Sequence, residues 1–307
     1  MPERKHGLFK ELSINKSLYL LTLPAILFFI LFEYVPMAGI VIAFQDFSVI
    51  KGPFRSPFNN FENFSVLFEA PAFKRVVFNT LFLNILFLAF GMFFSITIAV
   101  LLNEIGNRYY KKVTQSVLIL PHFLSWTIVA MFAVPMLSSS GLVNATLANL
   151  GLDPISFYRT PKVWPTVLVT MHVWKGAGFG SIIYLATIAG ISHEIFEAAI
   201  IDGANRVQRI FLIVLPMLKN TAVLLLLLNV GRIFFGNFGL IYPMVGNNSF
   251  LFKTTDIIDT YVYRALMELG DLGMSAAVGL TQSVIGFVLV LGTNTLARRV
   301  TPESAIF

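Results

Sequence analysis

The chain has 307 residues, of which 56% are hydrophobic and 12% charged, and a formal net charge of +6. Soluble domains carry about 25% charged residues, so a water-facing globule is excluded, and the absence of Cys rules out disulfides and thiolate metal sites. In a chain with a mean hydropathy of +0.78, the positive balance is explained by how Lys and Arg distribute across a bilayer, not by binding to nucleic acid.

In chain order, a basic segment, 1–17, leads into the first apolar run. A spanning helix needs about 20 mostly apolar residues, because each rises about 1.5 Å through a hydrocarbon core of about 30 Å. Six stretches qualify: 18–44, 77–102, 113–137, 164–190, 217–241 and 275–297, with a tail at 298–307. The first is far longer than the apolar core of about 7–15 residues in a cleavable signal, and reads as a retained span. The expected fold is therefore all-α: a polytopic membrane helix bundle with a single transmembrane domain, 18–297. The intervening segments 45–76, 138–163 and 242–274 are rich in Pro, Gly, Asn and aromatics and read as short structured caps.

Orientation follows from the basic residues. With the N-terminus inside, the inner segments hold 12 Lys and Arg, from Arg4, Lys5 and Lys10 to Arg298 and Arg299, against 8 in the much longer outer loops. The positive-inside rule then puts both termini in the cytoplasm. It also makes the connection between the fourth and fifth spans cytoplasmic.

That connection, 192–216, breaks the apolar pattern with EAAIIDGANRVQRIFLIVLP at 197–216. Ser192 is placed to cap a helix, with Glu194 and Glu197 near its positive end. Ile195, Phe196, Ala199 and Ile200 fall on one stripe. Asp202-Gly203 signals a turn, because Gly accepts a positive φ. A second short helix follows, with Val207, Ile210, Phe211 and Val214 on its apolar side, and Pro216 stands at the expected start of the fifth span. The small side chains of Ala198 and Ala199 let another surface approach closely. From physics alone the segment is either a helix-turn-helix offered to a partner's groove or an amphipathic connector lying at the interface.

The stretch resembles the EAA loop of binding-protein-dependent ABC importer permeases. Glu197, Ala198, Ala199, Asp202, Gly203, Ala204, Phe211 and Pro216 match its pattern in order and spacing. NFENFSVLFEAPAFKRVVFNT, with Asn79-Thr80, is similar to the segment leading into the core of those permeases. LPHFLSWTIVAMFAVPMLSSSGLVN and the tail from DIIDTYVYRALMELG onward look like the carbohydrate branch that imports complex oligosaccharides. The resemblance implies a subunit of the bacterial cytoplasmic (inner) membrane. It also implies a second homologous permease, two ATPase subunits that receive the coupling loops, an extracytoplasmic sugar-binding protein and an oligosaccharide substrate. ATP and Mg would be bound by the ATPases and no cofactor by this chain, which carries no G-x-x-x-x-G-K-[ST] loop and is not expected to be an enzyme.

Polar groups inside a membrane are costly and mark cavities or helix contacts. His172, Trp174 and Lys175 stand together in the fourth span; Tyr184, Asn229, Arg232, Asn237 and Gln282 add hydrogen-bonding groups in the fourth to sixth. Two readings stay open for these residues: a lining for the substrate path, or groups satisfied by neighbouring carbonyls and helices. As lining, the two cations make an acidic oligosaccharide, such as an alginate fragment, the attractive cargo. Asn79 and Asn294 read as structural, and GAGFG at 176–180 as close helix packing rather than a nucleotide loop. The alternative class is an ion-coupled secondary transporter or channel, which would need an intramembrane carboxylate relay or a filter. The expected spans hold a single acid, Glu33.

Overall fold

The computed structural model describes residues 15–300. Most of the expected segment 1–17 and of the tail 298–307, with Arg4, Lys5 and Lys10, lies outside the described residues. Within them the chain is helical, with one isolated β-bridge between Gln45 and Phe58. Among the described residues four helices are long and apolar enough to cross a membrane: Lys16–Phe44, Phe73–Glu104, Arg206–Val230 and Leu272–Thr295. Two broken pairs meet the same test, Arg108–Phe123 with Trp126–Met136 at 93° and Pro161–Ala189 with His193–Ile201 at 72°.

Two expected spans are corrected. The run 113–137 is apolar throughout but is not one straight helix. Pro121 lacks an N–H and tightens Leu120–Phe123 into a 3-10 turn, and Ser125 then caps a new helix by accepting from the Ile128 N–H at 3.2 Å. The run 217–241 is shifted: its helix starts at Arg206 and stops at Val230, and Phe238–Val245 is a separate helix capped by Asn237. Pro216 therefore lies inside a continuous helix, not at its start. The preceding turn, Ile210–Val214, is a π-helix, and the same happens at Ile30–Tyr34 before Pro36. A proline removes one rung and crowds the carbonyl four residues back; a wider turn just upstream accommodates both.

The described chain divides into two compact units, 15–68 with 266–280 and 69–265 with 281–300. In the smaller unit, Lys16–Phe44 is almost bare, with Leu20 and Leu21 70% and 78% exposed. Its far end is closed by Phe44, which meets Phe58, Phe61 and Phe64 at ring separations of 6.2, 5.2 and 5.3 Å. Asn63 Nδ2 donates to the carbonyls of Ala43 and Gln45 there, at 3.0 and 3.1 Å.

The larger unit is built on Phe73–Glu104 and Trp164–Ala189. One cluster buries Leu83, Phe87, Trp164, Leu168, Met244 and Ile257; a second buries Ala99, Val100, Tyr184, Ile188, Val214 and Leu218. In lipid such contacts gain close packing rather than removal from water, and glycines let backbones touch. A β-carbon on Gly178 would fall on the Leu118 carbonyl, and one on Gly180 would come within 2.5 Å of Ser95 Oγ. Those two residues of GAGFG thus serve helix packing, as expected.

Where Trp164–Ala189 begins, the segment 251–264 is stapled down. Asp256 is buried and holds Arg264 Nη2 with both carboxylate oxygens at 2.8 Å, while half-exposed Arg75 reaches it at 3.4 Å. Asn79 Nδ2 donates to the carbonyls of Phe252, Lys253 and Asp256 at 3.0–3.3 Å, and Thr80 Oγ1 accepts from the Ile258 N–H at 2.9 Å. Asn79 thus has the structural place read from sequence. Asn294 is buried as well.

Candidate functional site

Two places bring the singled-out residues together. The first is the segment after Ala189, whose shape is produced by local chemistry. Ser192 Oγ accepts from the Glu194 N–H at 3.3 Å and opens the helix His193–Ile201. The helix closes in a Schellman arrangement: the Ala204 N–H reaches the Ala199 carbonyl at 2.8 Å and the Gly203 N–H the Ile200 carbonyl at 3.0 Å. Gly203 sits at φ +78°, the left-handed conformation this closure needs. Asn205 and Gln208 then exchange hydrogen bonds as a capping box, at 2.8 and 2.9 Å, to start the next helix.

Phe196, Ile210 and Val214 anchor this helix-turn-helix to the second core cluster. The apolar stripe expected on the second helix is split by the π-turn: Val214 is buried, while Val207 and Phe211 are 61% and 63% exposed. Ile201 and Leu212 are exposed too. Glu197, Ala198, Asp202, Gly203 and Pro216 are likewise exposed, and Ala199 and Ala204 partly so. The surface is a small-residue, apolar one whose backbone needs are already met. Such a surface loses little by meeting another protein.

The second place is a cavity of about 680 Å³ in the larger unit, within the 300–1,000 Å³ range of small-ligand pockets. Of the residues expected along a substrate path, His172, Tyr184, Asn229, Arg232 and Asn237 line it. Trp174, Lys175 and Gln282 do not. Lys175 Nζ instead donates to the His122 carbonyl at 2.8 Å and stands 5.1 Å from the Trp126 ring centre. Gln282 is buried and donates to the Phe234 carbonyl at 2.7 Å. Trp174 is 48% exposed.

The lining is chemically mixed. His172 stacks on Phe87 at 4.5 Å, and its Nδ1 is buried without a protein partner, as is the hydroxyl of Tyr184. Asn229 Nδ2 is turned back onto the Leu225 carbonyl at 2.7 Å, and Asn237 Oδ1 accepts from the Leu240 N–H at 3.1 Å. Arg232 is exposed, and among the described residues no hydrogen bond or ion pair reaches its guanidinium. It is also the one permanently charged side chain of that lining among them. The cavity can therefore offer an aromatic wall and one free cation.

Sequence reading missed Asn84 and Asp259. Asn84 Nδ2 donates to the carbonyls of Ile233 and Phe235 at 2.7 and 3.0 Å, and Asp259 Oδ2 accepts from the Gly236 N–H at 2.6 Å. Burial raises the Asp259 carboxyl above its usual range, and the Gly236 N–H, its own N–H and the Gln282 amide pull it partly back. An amide in the middle of an apolar run, as in NTLFLNILF, was the available signal for Asn84.

Residues 91–302 match the family described as binding-protein-dependent transport system inner membrane component. Protein LplB of Bacillus subtilis (strain 168) is 37% identical over 94% of this chain and 91% of its own length. The polygalacturonan/rhamnogalacturonan transport system permease protein YteP of the same organism is 36% identical, over 97% and 92%. A solved chain from a bacterial ABC transporter involved in the import of the acidic polysaccharide alginate superposes with a TM-score of 0.88 at 35% identity, covering 96% of this chain and 100% of that one.

Proposed function

The chain belongs to the binding-protein-dependent transport system inner membrane component family and is a multi-pass membrane subunit of a transport system; on that premise we propose how it is driven and what it carries. It forms, with a second homologous permease, the passage of an ATP-driven importer for oligosaccharide fragments delivered by an extracytoplasmic sugar-binding protein. Two ATPase subunits bind ATP and Mg, and each receives one coupling loop. Both termini and the loop 192–216 face the cytoplasm; the stapled segment 251–264 faces outward.

The observation that carries this reading is the helix-turn-helix at 193–214. Its backbone is capped by its own residues, yet Ile201, Val207, Phe211 and Leu212 are left exposed beside Glu197, Ala198 and Asp202. Closure of the ATPases on ATP would move the loop and, through Phe196 and Val214, the spans packed on it. For this to shift the population of states, ATP must bind one arrangement better than the other. An ion-coupled transporter would not need this exposed, self-capped loop.

The cargo is an acidic oligosaccharide. Arg232, with no protein partner among the described residues, is placed on the cavity wall, where a carboxylate would satisfy it. Lys175, the other candidate cation, is already engaged and is not part of this site. The aromatic wall made by Phe87 and His172 suits the faces of sugar rings. Affinity purification of tagged chain in mild detergent tests the assembly. An ATPase and a second permease should be recovered, and the ATPase should be lost with Gly203→Val. Repeated recovery of an active chain alone would overturn the proposal.

A further inference from the structure

The fifth span does not continue to the end of its apolar run. It unwinds at Gly231, and the turn 231–237 forms part of the cavity wall, with Arg232 on it. Peptide groups that leave a helix beside a membrane interior must find partners in protein or in a wet cavity. Here three side chains from three separate elements supply them. Asn84, on Phe73–Glu104, takes the carbonyls of Ile233 and Phe235; Gln282, on the last helix, takes that of Phe234; Asp259 takes the Gly236 N–H.

Space restricts the turn as closely as hydrogen bonding does. A β-carbon on Gly236 would come within 2.6 Å of Asp259 Oδ2, and one on Gly231 within 2.5 Å of Val290 Cγ2. Gly286 faces Gly231 in turn, with its own β-carbon position 3.0 Å from the Gly231 carbonyl. Three consecutive peptide groups, from the Ile233 carbonyl to the Gly236 N–H, are thus tied while the neighbouring guanidinium of Arg232 is left untied. The helix gives way after Gly231, which still has right-handed φ −58° and ψ −21°: the N–H groups of Arg232 and Ile233 bond the carbonyls three residues back, at 3.0 and 3.1 Å, instead of four.

We propose that Asn84, Asp259 and Gln282 are positioning residues for Arg232: together they hold the fifth span open at 231–237 so that its one free cation faces the cavity. This rests on the reading of the cavity as a passage for acidic oligosaccharide, and the test separates the two. The natural absence of Cys makes a direct probe possible. Arg232→Cys in the assembled importer, reconstituted in lipid vesicles, is labelled with a water-soluble thiol reagent, alone and with Asn84→Leu or Gln282→Leu. Ile183→Cys, on the opposite wall-forming helix, is the control. Loss of the clamp should change the rate at position 232 at least about threefold and leave position 183 unchanged; this readout needs no substrate and does not follow overall stability.

The second arm compares uptake of an oligogalacturonate with that of its neutral methyl ester. Arg232→Gln should lower the acid-to-ester ratio about tenfold, the worth of one hydrogen bond to a charged group. Asn84→Leu and Gln282→Leu should lower the same ratio, with little further loss when combined with Arg232→Gln. Should the leucine variants fail to assemble, Asn84→Ala removes both donors without adding bulk or a charge beside Arg232 and answers the same question. Unchanged labelling at 232 and an unchanged ratio in the clamp variants, with Arg232→Gln still lowering it, would overturn the positioning role. A ratio untouched by Arg232→Gln would instead overturn the acidic cargo, while the labelling result would still decide the clamp.

Discussion

Beyond one end of the helix Trp164–Ala189, residues 251–264 are tied to the rest of the unit; beyond the other, among the described residues, the side-chain hydrogen bonds of 192–209 are made with one another. Arg75 reaches the buried Asp256 from outside its segment, and Asn79 reaches across 173 or more residues to three carbonyls. In the loop the longest hydrogen bond in sequence spans the five residues from Ala204 back to Ala199. The difference separates two tasks. A segment that must keep its shape against the body of the protein is cross-linked to it. A segment that is self-sufficient in hydrogen bonds keeps its apolar side chains free, which suits the docking role proposed above.

Substitutions can break or sharpen that contrast. The largest expected effect is Asp256→Ala, which leaves the largely buried Arg264 without its counter-charge and should cost about 3–5 kcal/mol. It would be read as a lowered thermal midpoint in detergent. Asn79→Leu should follow at about 1–3 kcal/mol, since carbonyls of the 252–256 segment lose their donor. Protease nicking within 251–264 would reveal it first.

Gly203→Val moves the test to the loop. A branched side chain at φ +78° costs about 1–2 kcal/mol, but that cost is confined to the turn. The global midpoint should stay within experimental error while sugar uptake falls at least tenfold, by analogy with the loss of a single well-placed contact. Asn205→Ala is the mildest, removing one cap at about 1 kcal/mol. It should speed amide exchange at 206–209 and leave the segment 251–264 unchanged. If instead both ends respond together to either loop variant, the contrast drawn above is wrong.

Much of the loop 192–216 was legible in sequence because its determinants are local. Ser192 as a cap and Gly203 at a left-handed position each act over a few residues; the Asn205–Gln208 exchange is as local but was not read. The apolar runs were legible for the same reason, since hydropathy is a property of the segment. What hydropathy cannot register is a backbone break inside an apolar run. The bend after Pro121 and the unwinding after Gly231 both lie in stretches that read as continuous, and so the third and fifth expected spans were misdrawn.

The roles of the intramembrane polar residues were legible only as a list. Lys175 and Arg232 have equal standing in the sequence, each a cation in an apolar run. The first is engaged because the His122 carbonyl, 53 residues away, happens to lie beside it. The second has no partner among the described residues, while Asn84, Gln282 and Asp259 take up the peptide groups that follow it, from as far as 151 residues away.

By itself, then, the sequence determined an all-α membrane protein, the approximate places of its apolar runs and the turn in the loop 192–216, because length, hydropathy, caps and turns act over a few residues. The tertiary structure decided where the helices break, which polar groups are spent and which cation faces the cavity. Those outcomes depend on which carbonyl or carboxylate lies within about 3 Å of which side chain, a distance that is set by packing and not written in any one segment.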